Sequence, residues 1–139
     1  GLTGCGNDGG DFATHNLEYE LSGTFNVTHG AGLAALWGSW ARYVYEVCLP
    51  RFVQFAVNVM GVDATGLSDE EVALRGIEDM EDFCRKIGMP TKISALGIDL
   101  TDDQIKEMAE SCEKATGGSI GSAKRIYFDD MVNIYSAAR

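Results

Sequence analysis

The chain has 139 residues, 45% of them hydrophobic, which is long enough for one domain with a real core. Its 11 Lys and Arg against 21 Asp and Glu leave a formal charge of −10, and this argues against a nucleic-acid partner, because phosphate binding needs a basic face. A membrane-spanning segment is not expected either: residues 21–41 carry no formal charge, but glycine, serine, threonine, asparagine and His29 interrupt their apolar part too often to cross a bilayer.

Helix start and stop signals are plentiful and alternating strand patterns are absent, so the chain reads as all-α. A first helix is predicted from Asp11, a possible cap, to Phe25, with Gly23 to Asn26 ending it. A second starts after Thr28, a residue suited to the N-cap, and runs to about Cys48. Its apolar stripe contains Leu33, Leu36, Trp37, Trp40, Val44 and Val47 at three- and four-residue spacing. Pro50 fits the first turn of a third helix, which buries Phe52, Phe55, Ala56, Val59 and Met60 and stops at Gly61. Ser68-Asp69-Glu70-Glu71 is a capping box. It opens a fourth helix with the stripe Ala73, Ile77, Met80, Cys84 and Ile87, ended by Gly88 and followed by Pro90. A second capping box, Thr101 to Gln104, leads to Ile105, Met108, Ala109 and Cys112, and Gly117-Gly118 closes that helix. The last helix starts near Asp129, with Asp129-Asp130 at its N-terminus and Phe128, Met131, Val132 and Tyr135 inward. No repeat or internal domain boundary is visible, so residues 1–139 read as one helical bundle.

Three-quarters of the charged side chains fall after residue 67. The first half therefore reads as interior or cleft and the second as solvated helices, a segregation expected of a piece of something larger. The four cysteines, Cys5, Cys48, Cys84 and Cys112, are scattered without a C-x-x-C pair and read as reduced thiols, which makes the cytoplasm the expected compartment. None has an evident activating partner, so a thiol nucleophile is not expected. Gly4-Cys5-Gly6-Asn7-Asp8-Gly9 matches G-x-G-x-x-G, but that fingerprint means dinucleotide binding only between a strand and a helix, and no strand precedes it.

The candidate chemistry lies in the two histidines, His15 and His29. On one unbroken helix they would stand ~21 Å apart at ~1.5 Å per residue. With the predicted break between them, a helical hairpin can bring both to one metal ion. Two imidazoles do not complete a site, because a stable Zn²⁺ or Fe²⁺ centre needs at least three protein ligands. Asp8, Asp11, Glu18 and Glu20 are the carboxylates nearby, and Glu18, one turn from His15, would have to reach past the helix surface. From spacing alone the other reading stays open, in which each is an ordinary core or surface histidine of a non-catalytic helical binding or structural module.

Residues 11–22, Asp-Phe-Ala-Thr-His-Asn-Leu-Glu-Tyr-Glu-Leu-Ser, followed by Thr28-His29-Gly30-Ala31-Gly32-Leu33-Ala34, resemble the iron-containing (group III) alcohol dehydrogenases. The branch they are most similar to is that of the NAD(P)H-dependent butanol dehydrogenases and aldehyde reductases. Ile87-Gly88-Met89-Pro90-Thr91 and the ending Ile134-Tyr135-Ser136-Ala137-Ala138-Arg139 fit the same branch. The resemblance implies a two-domain, dehydroquinate synthase-like enzyme, with an N-terminal α/β domain for NAD or NADP and a C-terminal all-helical domain for the metal. This chain would be the C-terminal part of the helical domain, without the cofactor domain. Of the four metal ligands the resemblance implies, an aspartate and a histidine lie upstream, and the other two match His15 and His29. The metal would be Fe²⁺ or Zn²⁺, the substrate a small alcohol or aldehyde, and the assembly a homo-oligomer joined to the missing N-terminal portion. Many members carry a further, cleft-facing histidine one helical turn after the first ligand. Tyr19 stands there in this chain, a candidate catalytic residue that can donate a hydrogen bond or relay a proton, although a phenol ionises far above an imidazole. The 139-residue chain by itself is expected to be inactive.

Overall fold

The structure, a computed structural model, describes residues 13–120 and 125–139. The predicted Asp11 cap, the carboxylates Asp8 and Asp11, Cys5 and the glycine-rich Gly4–Gly9 run lie outside the described residues. The fold is an all-α bundle. Its helices are α1 (Ala13–Phe25), α2 (His29–Val44), α3 (Leu49–Gln54), α4 (Asp69–Lys86), α5 (Asp102–Thr116) and α6 (Phe128–Ala138). The one β-type pairing among the described residues is an isolated antiparallel bridge between Ile120 and Ile126, which no sequence pattern announced. No helix among them is long and apolar enough to cross a membrane.

The helix ends follow the local chemistry of the sequence. The Thr101 hydroxyl accepts from the Gln104 amide at 3.2 Å while the Gln104 side chain accepts from the Thr101 amide at 3.0 Å. Both orphan donors at the start of α5 are thereby satisfied. At α4 the Ser68 hydroxyl accepts from the Glu71 amide at 3.2 Å. Asp69, Glu70 and Glu71 crowd its first turn and Arg85 and Lys86 its last, the arrangement that complements the helix dipole. Asn26, with φ 56°, is the described non-glycine residue in the left-handed region. It ends α1 and reverses the chain into α2, a role asparagine fills second only to glycine. Thr28 takes the extended N-cap conformation expected of it, but its side chain makes no cap hydrogen bond.

Helices α1, α2, α5 and α6 enclose the main core, and α3 and α4 pack together beside α2. Leu17, Leu36, Trp40, Ile77, Met108 and Ile134 are among the buried residues that join in it. Tyr135 is fully buried and its hydroxyl donates to the Leu17 carbonyl at 2.6 Å, tying α6 to α1.

Two predicted stripes are shorter than their periodicity suggested. Helix α2 stops at Val44 rather than near Cys48, so Val47 turns out to solvent while Cys48 remains buried. Likewise Ile87 is exposed, because it is the C-cap residue beyond the last helical turn of α4. The third predicted helix changes winding partway. After α3 the backbone widens into a π-helical turn over Phe55–Val59. In that turn Ala56 packs against Gly76 of α4 and Val59 is exposed.

Candidate metal centre

The hairpin of α1 and α2 assembles the site. On α1, His15 stands three and four residues before Glu18 and Tyr19, and Ser22 stands four and three after them, the spacing that stacks side chains on one helix face. His29 is the first residue of α2. The turn through Asn26 folds that first residue back over the α1 face. The two imidazoles, fourteen positions apart in sequence, then lie with ring centres 5.3 Å apart and planes inclined by 52°. The Tyr19 ring stacks on His29, 5.4 Å between centres and 13° from parallel. Tyr19 and His29 are exposed, and His15 is half-buried.

Glu18 does not share their exposure. Its carboxylate is fully buried and is held at both oxygens, Oε2 by His29 Nδ1 and Oε1 by the Ser22 hydroxyl. Ser22 Oγ also lies 3.1 Å from the Val27 carbonyl oxygen, linking the cluster to the turn just before His29. The side chain has room to cross from α1 to α2 because residue 32 has no Cβ. One placed there would come within 2.6 Å of Glu18 Cγ. The two glycines that follow His29 thus differ in purpose. Gly32 admits Glu18, whereas a Cβ at Gly30 would meet nothing closer than Met89 Cε at 4.0 Å. Sequence reasoning counted Glu18 among the nearby carboxylates but missed Ser22 and the function of Gly32. The signal available was the Glu18-x-x-x-Ser22 spacing opposite a small residue one turn into α2.

Two donors of the right kind therefore converge. Two imidazoles bound to one ion at ~2.0–2.1 Å with tetrahedral angles place their ring centres roughly 5 Å apart, and the spacing of His15 and His29 fits that requirement. Among the described residues no group of three or more His, Cys, Asp and Glu side chains is arranged to hold a metal. The donor set among them amounts to the two imidazoles of His15 and His29.

The other candidate groups sort into structural roles. Trp40 is buried beside Phe52 and Trp37 lies against Phe55, with ring centres 6.4 and 5.8 Å apart. Asp130 accepts from the Tyr127 amide at 3.0 Å and from the Tyr43 hydroxyl, which closes the N-terminus of α6 and raises the Tyr43 pKa above the usual phenol range.

The model of the C-terminal region of the Fe-containing alcohol dehydrogenase family matches residues 6–139. NADH-dependent butanol dehydrogenase A of Clostridium acetobutylicum is 32% identical over 136 residues, covering 97% of this chain and 34% of that protein. Among solved structures, NADH-dependent butanol dehydrogenase A from Thermotoga maritima superposes with a TM-score of 0.82 at 30% identity, over 94% of this chain and 33% of its own. The substrate- and cofactor-free aldehyde reductase YqhD from E. coli gives 0.84 at 27% identity, over the same shares. The chain spans about a third of the length of the curated relatives it matches.

Proposed function

The chain belongs to the Fe-containing alcohol dehydrogenase family, and from that premise we propose that it forms part of the metal-carrying helical domain of an NAD(P)H-dependent alcohol dehydrogenase or aldehyde reductase, with His15 and His29 as two of the metal's ligands. The observation that carries this reading is the convergence of the two imidazoles at 5.3 Å across the α1–α2 turn. The similarity of the chain to butanol dehydrogenases and to an aldehyde reductase supports the substrate class, a small alcohol or aldehyde.

A divalent metal bound there, Fe²⁺ or Zn²⁺, supplies Lewis acidity toward the substrate oxygen, and the nicotinamide supplies the hydride. The chain's own residues do the rest on this side of the cleft. His15 and His29 hold two coordination positions from helices that turn back on each other. Tyr19, stacked on His29 and open to solvent, offers a phenolic O–H beside them, which can donate to a substrate oxygen or pass a proton to water. The remaining two ligands and the nicotinamide site belong to residues other than those described.

Metal titration tests the ligand assignment. Zn²⁺ added to the purified chain should bind weakly at one site, and His15→Ala and His29→Ala should each abolish that binding. Undiminished binding in both variants would sink the assignment, and the two histidines would then be incidental, as in a non-catalytic helical module. The purified 139-residue chain should also leave NADH and NADPH unconsumed in the presence of butyraldehyde, and measurable turnover would contradict the proposed division of the site.

A further inference from the structure

Resting on the reading of His29 as a ligand, we infer that Glu18 is a positioning residue. Its buried carboxylate fixes the tautomer and orientation of the His29 ring, so that Nε2 is the nitrogen presented to the metal. Glu18 is fully buried while the His29 side chain is 45% exposed. Among the described residues the ion-pairing partner of this carboxylate is His29, with no lysine or arginine. With the Glu18 carboxylate as acceptor of this contact, Nδ1 of His29 is the donor and Nε2 is left with the lone pair. A histidine that ligates metal through one nitrogen commonly has its other N–H held by a carboxylate, which fixes the ring and raises its basicity.

Three features separate this role from direct ligation by Glu18. Both of its oxygens are already engaged, Oε2 by His29 and Oε1 by Ser22. No part of the side chain reaches the surface on which His15 and His29 meet. The missing Cβ at residue 32, which would otherwise stand 2.6 Å from Glu18 Cγ, leaves space shaped to the carboxylate's path between helices. Ser22 restrains the carboxylate in turn, from the same α1 face and within 3.1 Å of the Val27 carbonyl oxygen.

The chain has only two histidines, so its imidazole nitrogens can be read directly by ¹⁵N NMR, with His15→Ala assigning the signals. His29 in the unsubstituted chain should show the Nδ1–H tautomer. Glu18→Ala should release it to the mixed tautomers of a free imidazole and weaken Zn²⁺ binding by about 10- to 100-fold. Glu18→Gln, whose amide oxygen still accepts from Nδ1–H, should keep the tautomer and most of the affinity. Gly32→Ala, which displaces the carboxylate without removing it, should behave as Glu18→Ala does. Circular dichroism checks that each variant keeps its helices, and the tautomer of the unsubstituted chain decides the matter even where a variant unfolds. An Nε2–H tautomer in the unsubstituted chain would overturn the inference. So would unchanged Zn²⁺ affinity in folded Glu18→Ala, or a loss in Glu18→Gln as complete as in Glu18→Ala, which would make Glu18 a ligand. These results differ from failure of the ligand reading itself, in which His29→Ala leaves Zn²⁺ binding intact whatever the tautomer.

Discussion

Cys112 lies on the buried face of α5, its sulfur 3.7 Å from the Asn16 carbonyl oxygen in α1. Burial pushes its thiol up to about 12, and the charge of Glu20 adds to the shift. The thiolate is the nucleophile, and at pH 8 such a group is ionised to only about one part in ten thousand. Cys84 on α4 is half-buried; burial and then Glu81 raise its pKa while Arg85 opposes them. Iodoacetamide at pH 8 should therefore label Cys84 well ahead of Cys112, with Cys112 reacting only after denaturant is added, as peptide mass spectrometry would show. Comparable labelling of both in the native chain would contradict the burial of Cys112. This inertness was legible in the sequence, where Cys112 falls on an apolar helical stripe without an activating neighbour. The burial of Glu18 was not. The Glu18-x-x-x-Ser22 spacing on α1 does not by itself distinguish a carboxylate that turns toward a neighbouring helix from one that points to water, because the deciding feature, Gly32, belongs to the other helix.

At the scale of the elements, glycine shows how one substitution reverses sign with its surroundings. Gly23 lies within α1, and a Cβ there would meet nothing within 4 Å. Gly76 lies within α4, where a Cβ would come within 2.5 Å of Ala56 Cβ and 2.8 Å of Ala56 Cα. Alanine is favoured over glycine by about 1 kcal/mol in a helix interior, so Gly23→Ala should stabilise the chain by roughly 0.5–1 kcal/mol. Gly76→Ala gains the same propensity but must separate α4 from the π-helical turn, and overpacking of this kind costs about 1–3 kcal/mol. Urea unfolding should move the midpoint upward for the first variant and downward for the second. A gain in both would mean that the helices part easily at Gly76. The helices and their ends were readable in the sequence because caps, glycine stops and apolar spacing are local signals: the Thr101–Gln104 box and the stop at Gly117, with φ 77°, appear as expected. The π-helical turn was not readable. Its extra residue answers to the close approach of Ala56 and Gly76, two residues brought together only by packing.

For the molecule as a whole, alkaline conditions probe how the helices are joined. The fully buried Tyr135 hydroxyl bonds to the Leu17 carbonyl and so links the C-terminal helix to the one that carries His15. Burial holds its pKa well above the usual phenol value, and the charges of Cys112, Glu20 and Glu18 push the same way. In the unfolded chain the phenol ionises near pH 10. Between that pH and its higher folded value, the unfolded chain releases a proton that the folded chain retains. The unfolded state then binds fewer protons, so the free energy of unfolding falls as pH rises. The contribution is fully present below about pH 10 and is lost progressively above it. Tyr43 and Tyr45, whose pKa values are also raised, contribute with the same sign, and the net charge of −10 adds self-repulsion that grows as further groups lose protons. Tyr135→Phe separates these effects. At pH 7 it should cost about 0.5–1.5 kcal/mol for the lost hydrogen bond. Between pH 9 and 11 it should lose stability less steeply than the unsubstituted chain, and the two curves should converge. Urea midpoints measured across that range would show this, and parallel curves would mean that the Tyr135 hydroxyl reaches water in the folded chain.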